Sequence, residues 1–138
     1  MNTWLMKTEP GTYSWSNLRT DQQTSWDGVR NYQASNNMKR MAIGDKAFFY
    51  HSIREKSIVG IVSIVQTYHP DPTDDTGRFG MVTVAMDAPL YRPVTLSEMK
   101  TNGILQTMPL ITQSRLSVMP VTPSQWREVL ILSGNIAG

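Results

Sequence analysis

Two neighbouring stretches in the middle of the chain are apolar on both faces, and they constrain the fold more than any other feature. They are Lys46-Ala47-Phe48-Phe49-Tyr50-His51-Ser52 and Ser57-Ile58-Val59-Gly60-Ile61-Val62-Ser63-Ile64-Val65. Strands of that kind need cover on both sides, so they belong at the centre of a packed sheet or a small barrel. Arg54-Glu55-Lys56 is the polar hairpin between them. Gly60, inside the second strand, predicts a bulge or a close approach of another group to the backbone.

Shorter elements flank this pair. Thr3 to Thr8 reads as a strand that Glu9-Pro10-Gly11 breaks. Ser14 can cap a short helix through Leu18, and Asn31 a second helix to about Met41. On that second helix Tyr32, Met38 and Met41 are expected to face inward, with Gln33, Asn36, Lys39 and Arg40 outward. His69 to Gly77 has the composition of a loop, and Met81 to Met86 that of another apolar strand. Thr95-Leu96-Ser97-Glu98 and Thr122-Pro123-Ser124-Gln125 are capping boxes, the second with proline at the first helical position. Leu116 to Val121 reads as a strand between them. The last helix should present Trp126, Val129 and Leu130 inward and end before Gly134. Short strands with helices inserted between and after them predict an α+β domain: a small β-barrel with short flanking helices. The length of 138 residues suits one domain, 1–138.

Several chemistries lack their residues. With no cysteine there is no disulfide, thiolate metal site or cysteine nucleophile. No H-E-x-x-H, G-x-G-x-x-G, P-loop or G-x-S-x-G pattern occurs, so no metal, cofactor or catalytic residue is expected. No apolar run approaches the ~18 residues of a membrane helix. The N-terminal residues do not resemble a signal peptide. A monomer in the cytoplasm, or in the nucleus of a eukaryote, is the expectation. The net charge of +2 is too small to imply nucleic-acid binding by itself. Its distribution says more: Arg30, Lys39, Arg40, Lys46, Arg54 and Lys56 cluster in one segment, and Asp71, Asp74, Asp75 and Asp87 in another. This predicts a basic face and an acidic face.

The aromatic residues suggest a binding site. Trp26 sits in Ser25-Trp26-Asp27-Gly28-Val29-Arg30-Asn31, a glycine-containing loop just before a helix. A tryptophan there can serve as a wall on which a planar ring stacks. Arg30 adds positive charge beside it. Asn31 carries donor and acceptor together, which suits a base edge, although it is also a helix cap. Val29 is a candidate apolar wall for an added methyl group. Arg30, Lys39 and Arg40 are candidate phosphate contacts. Lys7 and Glu9 share a face of the first strand and could simply pair with each other. Tyr50 and Ser52 share a face of the Lys46–Ser52 strand, with His51 opposite. His51 reads first as a packed, hydrogen-bonded residue and second as a general base. His69, before Pro70, reads as a loop residue.

Six stretches resemble the signature blocks of the EVE domain, in order and across nearly the whole chain: Trp4 to Pro10, Trp26 to Ala34, Phe48 to Ser52, Ile58 to Ile61, Arg92 to Leu96 and Ser114 to Val118. The resemblance implies a PUA-like pseudobarrel, related to YTH and PUA RNA-binding domains. It also implies a non-enzymatic reader of nucleobases, with modified bases of DNA or RNA as ligands. Carried over by position, the pocket would draw on Lys7, Trp26, Val29, Arg30, Asn31, Tyr50, His51 and Ser52. The family often has arginine where this chain has Ser35 and Thr112, and those losses should weaken phosphate contacts. Two other classes stay open at this point: a protein-interaction domain, and a small-molecule enzyme using His51 or Glu9. A concave pocket with an exposed Trp26 face and a basic rim would favour base binding. A flat apolar patch would favour a protein partner, and a buried carboxylate against His51 an enzyme.

Overall fold

The computed structural model describes residues 1–138. In chain order the elements are β1 (Thr3–Thr8), α1 (Trp15–Asp21), β2 (Gln23–Ser25), α2 (Tyr32–Lys39), β3 (Lys46–His51) and β4 (Ser57–Pro70). Then follow β5 (Gly80–Thr95), α3 (Leu96–Lys100), α4 (Pro109–Thr112), β6 (Val118–Val121) and α5 (Pro123–Ser133). The strands form one mixed sheet in the order β2-β5-β4-β3-β1-β6. The expected α+β pseudobarrel is present, with a sheet that stays open because β2 and β6 are its unpaired ends.

The apolar pair forms the centre, as β3 and β4. Ala47, Phe48, Phe49, Ile58, Val62 and Ile64 are fully buried within a core of 31 residues. Trp126 of α5 closes one side by stacking on Phe48, centroids 3.8 Å apart. Trp15 of α1 lies edge-on to Phe49 at 5.3 Å and covers the backbone of Gly60. A Cβ on Gly60 would lie 2.3 Å from the Trp15 ring, so this strand glycine is the seat of an indole. The capping boxes of α3 and α5 form as the sequence predicts, and Ser14 and Asn31 cap α1 and α2.

β1 and β3 are parallel neighbours, Thr3 beside Lys46 through Thr8 beside His51. Parallel strands require a crossover. Here α1, β2 and α2 make it, and they carry the segment 26–31 back to the C-terminal end of β1.

Three expectations change. β4 runs on to Pro70, so His69 belongs to a strand, pairs with Met81 and donates its Nδ1–H to the Thr67 carbonyl at 2.7 Å. Register shifts along the β4–β5 ladder let these strands bend and outlast the core that makes them apolar. Tyr32 faces outward with 60% exposure. The buried arc of α2 is Ala34, Ser35, Asn37 and Met38, and Tyr32 lies about 160° around the helix from Ala34. The basic and acidic segments do not form opposite faces, because the β4–β5 hairpin folds the acidic one onto the basic one. Arg30 pairs with Asp71, and Lys46 with Asp87. No helix is long and apolar enough to cross a membrane.

Gly60→Ala is expected to displace Trp15 and destabilise the protein by roughly 1–3 kcal/mol, the usual magnitude for overpacking. Chemical denaturation of the variant measures it.

Candidate nucleic-acid interface

The C-terminal end of β1 and the 26–30 segment enclose a concave cavity of about 450 Å³. That is within the usual range for small-molecule sites. The lining comes from Lys7, Thr8 and Glu9, from Thr12 and Tyr13 of the following turn, from Thr24 to Arg30, and from Ser117. Only Tyr13, Trp26 and Val29 are apolar, so the lining is a narrow apolar strip between polar edges.

Two cations and two carboxylates share this lining. Lys7 donates from Nζ to the Ser114 carbonyl at 2.8 Å rather than pairing with Glu9. Burial lowers its pKa from the ordinary lysine value. Glu9 and Asp27 make no salt bridge. The Tyr13 hydroxyl donates to Asp21 at 2.9 Å. The backbone N–H groups of Val29 and Arg30 have no partner within the protein. Unpaired donors and acceptors therefore edge the apolar strip.

The loop itself is held by Asp71, whose side chain is fully buried. Its carboxylate accepts from Gly28 N–H at 2.8 Å and Arg30 Nη1 at 3.1 Å. It also accepts from the Thr73 N–H at 2.8 Å and the Thr73 hydroxyl at 2.6 Å. Burial alone would raise its pKa. The bonds from Thr73, Gly28 and Arg30 outweigh burial and hold the carboxyl well below the usual carboxylate range. Arg30 also bonds the Thr73 hydroxyl at 2.9 Å.

The EVE domain family model matches residues 2–132. This chain belongs to the EVE domain family. Among curated proteins, human thymocyte nuclear protein 1 is 36% identical over 94% of this chain and 72% of its own length. A crystal structure of a protein from Agrobacterium tumefaciens is 42% identical, with a TM-score of 0.92 over 97% of this chain and 94% of that one. A crystal structure of the human THYN1 protein in complex with 5-methylcytosine-containing DNA is 35% identical. Its TM-score is 0.89, over 96% of this chain and 98% of that chain. An ASCH protein of Zymomonas mobilis, 10% identical with a TM-score of 0.61, shares the fold alone.

Within this EVE domain the cavity brings together Lys7, Trp26, Val29 and Arg30. Trp26 is less open than a loop wall was expected to be. It is 7% exposed, stands edge-on to Phe49 at 5.6 Å and is part of the core. Val29 is equally buried. The rim is balanced in charge rather than basic.

Four other expected residues lie outside the cavity lining. The Asn31 carboxamide oxygen caps α2 by accepting from Ala34 N–H at 2.9 Å, and its side chain borders a second, polar cavity. That cavity, about 350 Å³, also includes Thr112, Ser114 and Arg115. Tyr50 stands beside Lys7 in the ladder, 2% exposed, its hydroxyl pushed up to about 12 by burial. The Ser52 hydroxyl and N–H both donate to the Thr8 carbonyl. His51 accepts the Trp15 backbone N–H on Nε2 at 3.0 Å, which places its proton on Nδ1 toward Glu55, 3.3 Å away. Glu55 is 56% exposed, so no buried carboxylate backs the histidine. Ser35 is buried and bonds the Tyr68 hydroxyl at 2.7 Å.

Lys39 and Arg40 are also apart from the cavity. Lys39 lies over the Tyr68 ring at 5.4 Å, and Arg40 over the Trp4 ring at 5.5 Å.

Asp71→Asn is expected to destabilise the protein by about 1–3 kcal/mol at neutral pH, because buried donors lose an ionised acceptor. The folded pKa of Asp71 lies below its unfolded value of about 3.9. Its stabilisation is therefore complete above that value and is lost as pH falls through it toward the folded pKa. Melting temperatures from pH 7 to 2 should show a steeper acid decline for wild type than for Asp71→Asn.

Proposed function

We propose that this EVE domain binds a modified nucleobase of DNA or RNA in the cavity beside Trp26 and leaves it chemically unchanged. One observation carries the reading: an apolar strip of Tyr13, Trp26 and Val29 is edged by both unpaired acceptors and unpaired donors. A flat, neutral heterocycle needs that combination. A phosphate alone would call for cations, and this lining balances them with carboxylates. Glu9 or Asp27 can accept from the exocyclic amine of cytosine or adenine. The Val29 and Arg30 N–H groups can donate to ring acceptors. The complex of the human relative with 5-methylcytosine-containing DNA supports the same class of ligand. Lys39 and Arg40 would serve phosphates outside the cavity.

Magnitudes set what discrimination is available. Burying one methyl group is worth about 0.8 kcal/mol, or about fourfold in affinity. Greater selectivity needs polar groups left unpaired by the wrong base, at about 1–3 kcal/mol each.

Matched oligonucleotides with and without cytosine or adenine modifications, titrated at one salt concentration, test this. At least one modified base should bind about fourfold tighter than its parent, and mass spectrometry should recover it unaltered. A panel in which none exceeds about threefold contradicts the reading. The double variant Glu9→Ala, Asp27→Ala should weaken binding of amine-bearing bases by about tenfold, one lost charge-assisted hydrogen bond, and leave thymine or uracil derivatives unaffected.

A further inference from the structure

One aromatic surface next to the cavity has no part in that reading. Tyr32 opens α2 and is 60% exposed. It is not a loose surface residue. Its ring lies 4.9 Å from that of Phe79, tilted by 40°. Phe79 is half-buried, and its N–H donates to the Asp74 carboxylate at 2.7 Å. The Arg30 guanidinium sits 5.8 Å from the centre of the same Phe79 ring. Arg30 in turn is bonded to Asp71 and lines the cavity. Cavity, Arg30, Phe79 and Tyr32 are thus one continuous run of contacts. Tyr91, although 88% exposed, has no aromatic or cationic partner of this kind. The Tyr32 ring gains little from burial, yet a second ring holds one side of it and its hydroxyl bonds to nothing in the protein. Such a held, open aromatic face suits stacking by a planar group.

We propose that Tyr32, backed by Phe79, is a stacking platform for the base adjacent to the one held in the cavity, in a single-stranded or locally unpaired nucleic acid. This rests on the base-binding reading of the cavity. Arg30 stands between the two positions, and 39% of its side chain remains exposed toward the phosphate that would link them. Since every base has a π-face, the platform adds affinity without choosing a sequence. The cavity supplies the selectivity.

Calorimetric titration of wild type, Tyr32→Ala and Tyr32→Phe tests the proposal with three probes. These are a modified mononucleoside, a short single strand carrying the same modified base, and that strand with an abasic position on either side in turn. All three proteins should bind the mononucleoside alike and keep similar melting temperatures. Tyr32→Ala should lose about 5- to 150-fold in affinity for the intact strand, the stacking contribution of one base, while Tyr32→Phe retains it. One of the abasic strands should lose as much with wild type and lose nothing further with Tyr32→Ala, the signature of a coupled pair. The platform is overturned if Tyr32→Ala binds the strand like wild type, or if both abasic strands bind wild type like the intact one. It is equally overturned if the mononucleoside weakens as much as the strand, which would make Tyr32 a prop for the loop. A wild type that binds the modified mononucleoside and strand no tighter than their unmodified parents contradicts the cavity reading itself.

Discussion

A carboxylate with no exposed surface organises the cavity. Asp71 arrives on the turn after β4 and meets the loop after β2, accepting hydrogen bonds from Gly28 and Arg30 on one oxygen and from Thr73 on the other. Gly28, at φ +78°, gives the loop a backbone turn that other residues adopt only under strain. The turn points its N–H at Asp71, while Val29 and Arg30 keep theirs free. A buried anion with partial pairing would cost several kcal/mol. Full pairing makes it a fixed point, and the walls of the cavity are set from it. Arg30 is consequently a structural tie before it is a ligand contact.

The topology explains why such a tie is needed. The crossover between parallel β1 and β3 contains a segment, 26–31, that belongs to no strand or helix and follows the three residues of β2. The long β4–β5 hairpin reaches back over that segment and pins it. The same hairpin places Asp87 against Lys46, so charges far apart in sequence neutralise each other. Glu9 and Asp27, beside the apolar strip, make no such pair.

Local chemistry made much of this legible. Cap residues work within four positions, so Ser14, Asn31, Thr95 and Thr122 announced their helices. The doubly apolar strands announced the sheet centre, and Gly60 a close approach that proved to be Trp15. Resemblance to the EVE family pointed to both arms of the cavity, β1 and the Trp26–Arg30 loop. Long-range geometry was not legible. Asp71 acts on a residue 43 positions away, and nothing in a proline- and aspartate-rich turn distinguishes a solvated aspartate from a buried one. The extent of β4 and β5 was hidden because bulges interrupt alternation and their ends are exposed. Tyr32 was misplaced because the buried arc of α2 includes Ser35 and Asn37, polar residues that hydrophobic periodicity passes over. Tyr13 and Ser117 line the cavity only because of the turn and strand they adjoin.

Backbone and indole N–H chemical shifts of the isotopically labelled protein, followed during titration with a modified nucleoside and its unmodified parent, bear most closely on the cavity as a base-binding site. Val29, Arg30 and the Trp26 indole should respond together, at lower concentration for the modified nucleoside. Responses confined to residues outside the cavity, or identical for both nucleosides, would contradict it.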